Sequence, residues 1–257
     1  MTSATYTLAD TRTLLHRNML HALRYPAMSL SSLLMPLIFL LLFRYVFGNA
    51  LGAGIGGSYI SYLAPGLVIM TGTSSMVSTA VSVCTDMTEG IVDRLRTMSI
   101  SRFALLAGHV LGNVIQTVAA MAILLTVAVA IGFRPHADAL NWLGAIGIAA
   151  LIAWALTWVA MAMGLSAKAP EGASNLPMPI ILLPFLSSGF VPTASMSPGL
   201  RQFAEYQPFT PIIETLRGLL LGTHIGNQWI YALAWCVGLS VLGYVASRRL
   251  FDRRAGL

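Results

Sequence analysis

The chain has 257 residues, 56% of them hydrophobic and only 9% charged, with a formal net charge of +6. Too little polar surface is present to coat a soluble globule of this size, so most of its solvent is lipid. The basic residues lie scattered at the ends of apolar runs rather than in a cluster, which suits the orientation of membrane helices and excludes nucleic acid as a partner.

Residues 1–26 precede the apolar part and form a unit of their own. Leu8, Leu15, Met19, Ala22 and Leu23 share one helical face, with Arg17, His21 and Arg24 opposite. The pattern predicts a basic amphipathic helix on the inner leaflet, either a topology anchor alone or one that also packs against a cytoplasmic partner. The stretch is long and polar and no A-x-A site follows it, so a cleaved signal peptide is not expected.

Apolar runs able to cross about 30 Å of hydrocarbon at about 1.5 Å per residue occur at 27–47, 60–84, 103–133, 142–166 and 229–247. A sixth run, 176–191, is short and carries Pro177, Pro179 and Pro184, so it reads as a broken helix. With six spans and both termini cytoplasmic, the inner segments hold Arg12, Arg17, Arg24, Arg94, Arg96, Arg102, Lys168, Arg248, Arg249, Arg253 and Arg254. The outer loops then hold only Arg134, Arg201 and Arg217, with Arg44 near the outer end of the first span. Five spans would turn the basic tail outward, against the positive-inside bias, so six are expected.

Between the second and third spans stands the one dense block of charge, DMTEGIVDRLRTMSISR. Met87, Ile91, Leu95 and Met98 fall on one side of a helix, and Asp86, Glu89, Asp93 and Arg96 on the other. Mixed signs suit a protein partner better than an anionic lipid surface; a solvated loop helix is the plainer alternative.

Polar residues inside the spans are costly there and are candidates for function. Thr71, Ser75, Ser78, Ser82 and Thr85 recur at intervals of four, three, four and three on the second span, and His109, Asn113 and Gln116 at helical spacing on the third. Either stripe serves tight helix packing, with hydroxyls bonding across the contact, or lines a translocation path. No paired carboxylates, H-E-x-x-H or serine–histidine pairing accompanies them, which leaves an intramembrane lipid-modifying enzyme without a catalytic constellation. Cys84 and Cys236 have no metal-ligand spacing around them and read as buried small hydrophobes. Gly52, Gly54 and Gly57 match a dinucleotide fingerprint literally, but they join two spans rather than a strand and a helix. The only lysine is Lys168 and no G-x-x-x-x-G-K-[ST] occurs, so any ATP that drives this chain binds elsewhere.

The block GIVDRLRTMSISR and the late segment LPFLSSGFVPTASMSPGLRQFAEYQPFTPIIETLRGLLLG together resemble the permease subunit of the ABC-2 exporter superfamily, closest to the daunorubicin-resistance-type drug permeases. The late segment carries the most specific part: G-F-x-P at 189–192, E-Y-Q-P-x-T-P at 205–211 and L-R-G-L-L-L-G at 216–222. The charged block departs from relatives outside the drug-permease group, with Gly90-Ile91 and Ser99-Ile100 where those have a Gly-Thr pair and a proline. The resemblance implies an all-α, six-span membrane domain over 27–257 that works as a dimer with a separate ATPase subunit. It also implies a coupling helix over 89–99, with Glu89, Gly90, Asp93, Arg94, Leu95 and Arg96 at the ATPase contact. The segment 195–222 would be a re-entrant helix pair dipping from the outer face and carrying Glu205, Pro208, Pro211, Glu214 and Arg217, with Glu214 and Arg217 placed to neutralise each other.

The expected function is export of a hydrophobic or amphipathic small molecule, a drug or secondary metabolite, from a bacterial cell through its plasma membrane. ATP and Mg would sit on the partner, with no cofactor on this chain; the remaining partners are a second permease copy and membrane lipid. Export of a lipid-linked glycan or envelope lipid is the alternative within the superfamily. A structural scaffold would explain the spans but not the mixed-charge helix.

Overall fold

The structure, a computed structural model, describes residues 26–48, 58–88 and 102–254, with side chains for all of these except 26–32, 102–107, 109 and 254. The amphipathic segment, the glycine loop at 52–57, the predicted coupling helix at 89–99 and the last three residues lie outside the described residues.

All regular structure among the described residues is helical. In chain order it comprises α1 (Pro26–Tyr45), α2 (Tyr59–Thr88), α3 (Arg102–Ala130), α4 (Ala139–Ser166), α5 (Pro170–Asn175), α6 (Met178–Leu182), a 3-10 turn (Leu183–Leu186), a second 3-10 turn (Thr193–Ser195), α7 (Pro198–Tyr206), α8 (Phe209–Leu221) and α9 (Gln228–Arg254). Four stretches are long and apolar enough to cross a membrane: Tyr59–Thr88, Val110–Ala130, Ala139–Ser166 and Gln228–Arg253. The 20 residues of α1 contain a shorter apolar stretch, Leu33–Tyr45.

The proline-bearing run differs from its sequence expectation at both ends. Helix begins at Pro170 rather than at 176 and gives way to turns at Ser187 rather than running to 191. Pro170 occupies a first-turn position of α5, where its missing N–H is not needed, and Glu171 in the same turn faces the positive end of the helix dipole. Pro179 and Pro184 likewise fall in the first turns of α6 and of the 3-10 turn. The prolines therefore cut the run into short pieces, each with one in its first turn.

α2 is the hub, packed along α1, α3, α4, α5 and α8, while α9 lies along α4. Small residues set these contacts, because little side-chain bulk lets backbones approach. A Cβ on Gly164 of α4 would fall 2.5 Å from Ala80 O on α2, and one on Gly243 of α9 would fall 2.8 Å from Val159 N on α4. Ser247 Oγ on α9 donates to Trp158 O at 3.2 Å.

Contacts gather the element ends into two levels. At one level Arg44 Nε donates to Ile131 O at 3.3 Å, Tyr59 Oη to Phe190 O at 3.1 Å and His136 N to Leu220 O at 3.0 Å. The ends of α1, α3 and α8 thus meet the start of α2 and the turn after the proline-bearing segment. At the opposite level Phe251 of α9 clusters with Val83, Val110 and Leu165, and Cys84 Sγ lies 3.6 Å from Ala167 O. Both cysteines are free and buried.

Candidate translocation face and an arginine-held turn

The hydroxyl stripe of α2 divides along its length. Thr71 and Ser75 are buried inside the protomer, Thr85 is half-buried, and Ser78 and Ser82 are exposed. Height divides the stripe rather than angle: at about 100° per residue the five hydroxyls stay within about 80° of arc, so the elements that stand beside α2 at each level decide which of them are covered. Among the described residues these hydroxyls do not bond across to neighbouring helices, as the sequence reading expected of a packing stripe. Thr71 Oγ1 donates to Leu67 O at 3.0 Å, Ser75 Oγ to Thr71 O at 3.0 Å, Ser78 Oγ to Ser75 O at 2.9 Å and Thr79 Oγ1 to Ser75 O at 3.1 Å. Back-bonding within the helix satisfies the protons of Thr71, Ser75 and Ser78 and leaves their oxygen lone pairs available to a partner.

On α3, Asn113 and Gln116 are half-buried, and the side chain of His109 lies outside the described residues. α3 runs antiparallel to α2, with Val110 clustered on Val83 and the Met121 methyl against Gly72. That register sets Asn113 and Gln116 at the height of residues 77–80, level with the part of the α2 stripe that becomes exposed. Asn113 Nδ2 is buried and has no hydrogen-bond partner among the described residues.

A second constellation lies at the α2 start. The turn at residues 187–190 is clasped from both sides. From α2, Tyr59 Oη donates to Phe190 O, and Gly66 comes so close to Gly189 that a Cβ on Gly66 would lie 2.6 Å from Gly189 O and 2.7 Å from its Cα. From the other side, Gln207 Nε2 donates to Leu183 O at 3.2 Å and Leu186 O at 2.7 Å, while Thr210 Oγ1 accepts from Ser188 N at 3.3 Å. Phe190 stacks on Phe185 with centroids 4.8 Å apart, and Phe43 of α1 reaches Phe190 at 5.4 Å.

Arg217 joins all of these. It is 7% exposed, and its guanidinium donates to Tyr62 O, to Ser188 O at 2.7 Å and to Glu214 Oε1 at 2.5 Å. One side chain thereby ties α8 to α2 and to the turn, each a different part of the sequence. Glu205, by contrast, is exposed and pairs with Arg201 one turn back in α7 at 2.7 Å. Pro208 precedes α8 and Pro211 lies buried in its first turn. Gly222 closes α8 in the left-handed region at φ 68°.

The late sequence motifs now have physical content: Gly189 permits the approach of α2, Gln207 and Thr210 hold the turn, and Arg217 binds both. Residues 9–221 match the ABC-2 type transporter family. The chain belongs to that family. It is 32% identical over 241 residues to the daunorubicin resistance ABC transporter permease protein DrrB1 of Streptomyces coeruleorubidus, covering 93% of this chain and 84% of the relative. It is 21% identical over 213 residues to the probable doxorubicin resistance ABC transporter permease protein DrrC of Mycobacterium tuberculosis, covering 83% of this chain and 77% of the relative. A further relative, ABC transporter G family member 20 of Dictyostelium discoideum, is 25% identical over 78% of this chain, which spans 28% of that protein.

In this ABC-2 chain the residues expected to couple to an ATPase, Glu89, Gly90, Asp93, Arg94, Leu95 and Arg96, lie outside the described residues; α2 runs on to Thr88, immediately before them. Sequence reading missed Tyr59, Tyr62, Gly66 and Ser188 as partners of the late motifs. The signal for them was weak: a lone arginine in an apolar run demands carbonyls and an aromatic face, but not particular ones.

Proposed function

We propose that this multi-pass membrane protein is the permease subunit of an ATP-driven exporter that moves a hydrophobic or amphipathic small molecule, a drug or secondary metabolite, out of a bacterial cell. The observation that carries the proposal is the open hydroxyl face of α2. A span wrapped on most sides by its own protomer leaves Ser78 and Ser82 uncovered, and hydroxyls are disfavoured against hydrocarbon. A second copy of the chain closing over that face would make a hydroxyl-lined seam between two protomers, a path for a cargo with both polar and apolar parts. The names of the two relatives with resistance to daunorubicin and doxorubicin favour cargo of that kind.

Six spans with both termini cytoplasmic are part of this reading. What supports it is the alternation of element ends between two levels, with the broken segment 170–186 taken as the fifth crossing, and α7 with α8 as the re-entrant pair. ATP and Mg would be bound by a separate ABC ATPase subunit acting on residues 89–99. α2 would carry the stroke: its 30 residues form one continuous helix, which at 1.5 Å per residue covers about 40 Å from Thr88 beside the coupling segment to Tyr62 beside Arg217. A displacement of α2 would then be felt at the turn 187–190, which Arg217, Tyr59 and Gly66 hold to it.

The test is reconstitution of this chain with its native ATPase subunit in inside-out vesicles. ATP-dependent accumulation of daunorubicin is expected. An assembled complex that hydrolyses ATP but accumulates no such compound, and instead flips a lipid-linked substrate, overturns the drug reading.

A further inference from the structure

A cavity of about 250 Å³ opens sideways between α3 and α4, with α2 and α8 behind it. Val68, Leu216 and Leu220 are among its lining residues, and Ala122, Thr126 and Ile146, all exposed, mark its mouth. We propose that this cavity seats an acyl chain of a membrane lipid and that the seated chain braces α8.

The surroundings of the mouth fix what it faces. Ile123 on α3 and Leu140, Leu143 and Ile146 on α4 are exposed large aliphatic side chains, so the opening belongs to the hydrocarbon-facing surface. The lining excludes water. The Thr126 hydroxyl is already donated to Ala122 O at 2.8 Å, and apart from Thr126 and the Trp142 indole the lining side chains are aliphatic or thioether, too few polar partners for an ordered water. It disfavours the cargo as well. Drug-sized ligands occupy pockets of about 300–1,000 Å³ with several convergent polar groups, and this cavity is both smaller and almost without them. Yet it exceeds the roughly 150 Å³ apolar void that takes up benzene, so it is large enough to be filled. A flexible hydrocarbon chain matches the size, the chemistry and the lateral entrance.

The position assigns the leaflet and the consequence. Trp142 stands one turn into α4 and Val129 one residue from the end of α3, so the cavity lies toward the end that the proposed topology places outside. Tryptophan is common at that depth. Leu216 and Leu220 present α8 to the cavity, while Arg217 between them holds Tyr62 and Ser188. A chain in the cavity therefore supports the helix that carries the arginine clasp, and loss of the chain would loosen it.

A phospholipid bearing a photoreactive diazirine at its acyl end, incorporated with the permease into nanodiscs, tests this directly. After irradiation, peptides containing Met121, Leu125 and Ala145 should carry more label than the exposed α9 residues Val241 and Leu242. Ala145→Phe should lose the cavity label and keep the α9 label; if that variant does not fold, Ala149→Leu serves, judged by the same α9 label. Cavity label no higher than α9 label overturns the proposal. So do reaction of Ala145→Cys with an impermeant aqueous maleimide, displacement of the lipid label by daunorubicin, and crosslinking at this site to a second permease copy. None of these readouts depends on export, so failure of the exporter reading would leave them unchanged.

Discussion

Arg217 and Tyr62 hold each other twice: the guanidinium carbon lies 3.8 Å from the centre of the tyrosine ring, and Nε and Nη2 donate to the Tyr62 carbonyl oxygen at 3.2 and 3.1 Å. The planar fork of arginine makes both contacts possible at once, because its face can stack while its edge donates. The Glu214 side chain is 35% exposed against 9% for Arg217, so the ion pair is the wetter and weaker part of the arrangement.

That asymmetry predicts an order of variants. Arg217→Met leaves the buried Ser188 carbonyl without its donor, a loss of about 1–3 kcal/mol for each group orphaned. Arg217→Lys keeps the charge but cannot bridge two carbonyls and stack, and Glu214→Gln removes only the solvent-screened partner. Thermal unfolding in detergent should rank wild type above Glu214→Gln, then Arg217→Lys, then Arg217→Met. A Glu214→Gln loss as large as that of Arg217→Met would mean that the ion pair, not the carbonyl bridge, is the holding contact.

Gly66 and Gly189 predict a sharper contrast. The nearest atoms to a Cβ on Gly66 are backbone, at 2.6 and 2.7 Å, and backbone cannot rotate away. Gly66→Ala should cost about 1–3 kcal/mol as an overpacked contact and reduce the yield of folded protein. Gly147→Ala, with nothing within 4 Å of the new Cβ, should be neutral or gain about 0.5–1 kcal/mol of helix propensity. Equal melting temperatures for the two variants would show that the α2–turn seam yields easily.

The long spans were readable because each apolar run coincides with a helix, and hydropathy reports that locally. The start at Pro170 was not, because PEGASN is polar and only proline's preference for the first helical turn marks it. Contacts made by geometry alone left no trace: Arg217 reaches a carbonyl 155 residues away, and nothing local to either residue names the other. The α2 stripe was visible as a pattern, yet its division into buried and open halves depends on which neighbours stand at each level. Val77, which looks lipid-facing beside Ser78 in the sequence, is half-buried, whereas Ser78 is exposed.

Topology gives the third prediction. Cys84 and Cys236 are buried, so serine at both should leave a fold-competent background. In it, Ser197→Cys, exposed between the second 3-10 turn and α7, should react with an impermeant maleimide added to intact cells. Lys168→Cys, exposed between α4 and α5, should react only after permeabilisation. Labelling of Lys168→Cys from outside, with Ser197→Cys protected, would invert the proposed orientation.

The last prediction separates packing from path along one helix. Ser75 is 7% exposed within the protomer, so leucine there has no room and should destabilise the folded chain by about 1–3 kcal/mol. Ser78 and Ser82 are uncovered, so leucine at either should leave the protomer's melting temperature unchanged. Ile123 on the aliphatic outer face, replaced by leucine, supplies the lipid-facing control. If the open hydroxyl face meets a second copy around a cargo path, Ser78→Leu and Ser82→Leu should lower dimer yield or shift cargo preference, while Ile123→Leu does neither. A loss of dimer alone marks packing between copies; altered cargo preference with the dimer intact marks a path. Both leucine variants matching Ile123→Leu in stability, dimerisation and export would place this face against lipid and remove the ground for the proposed seam.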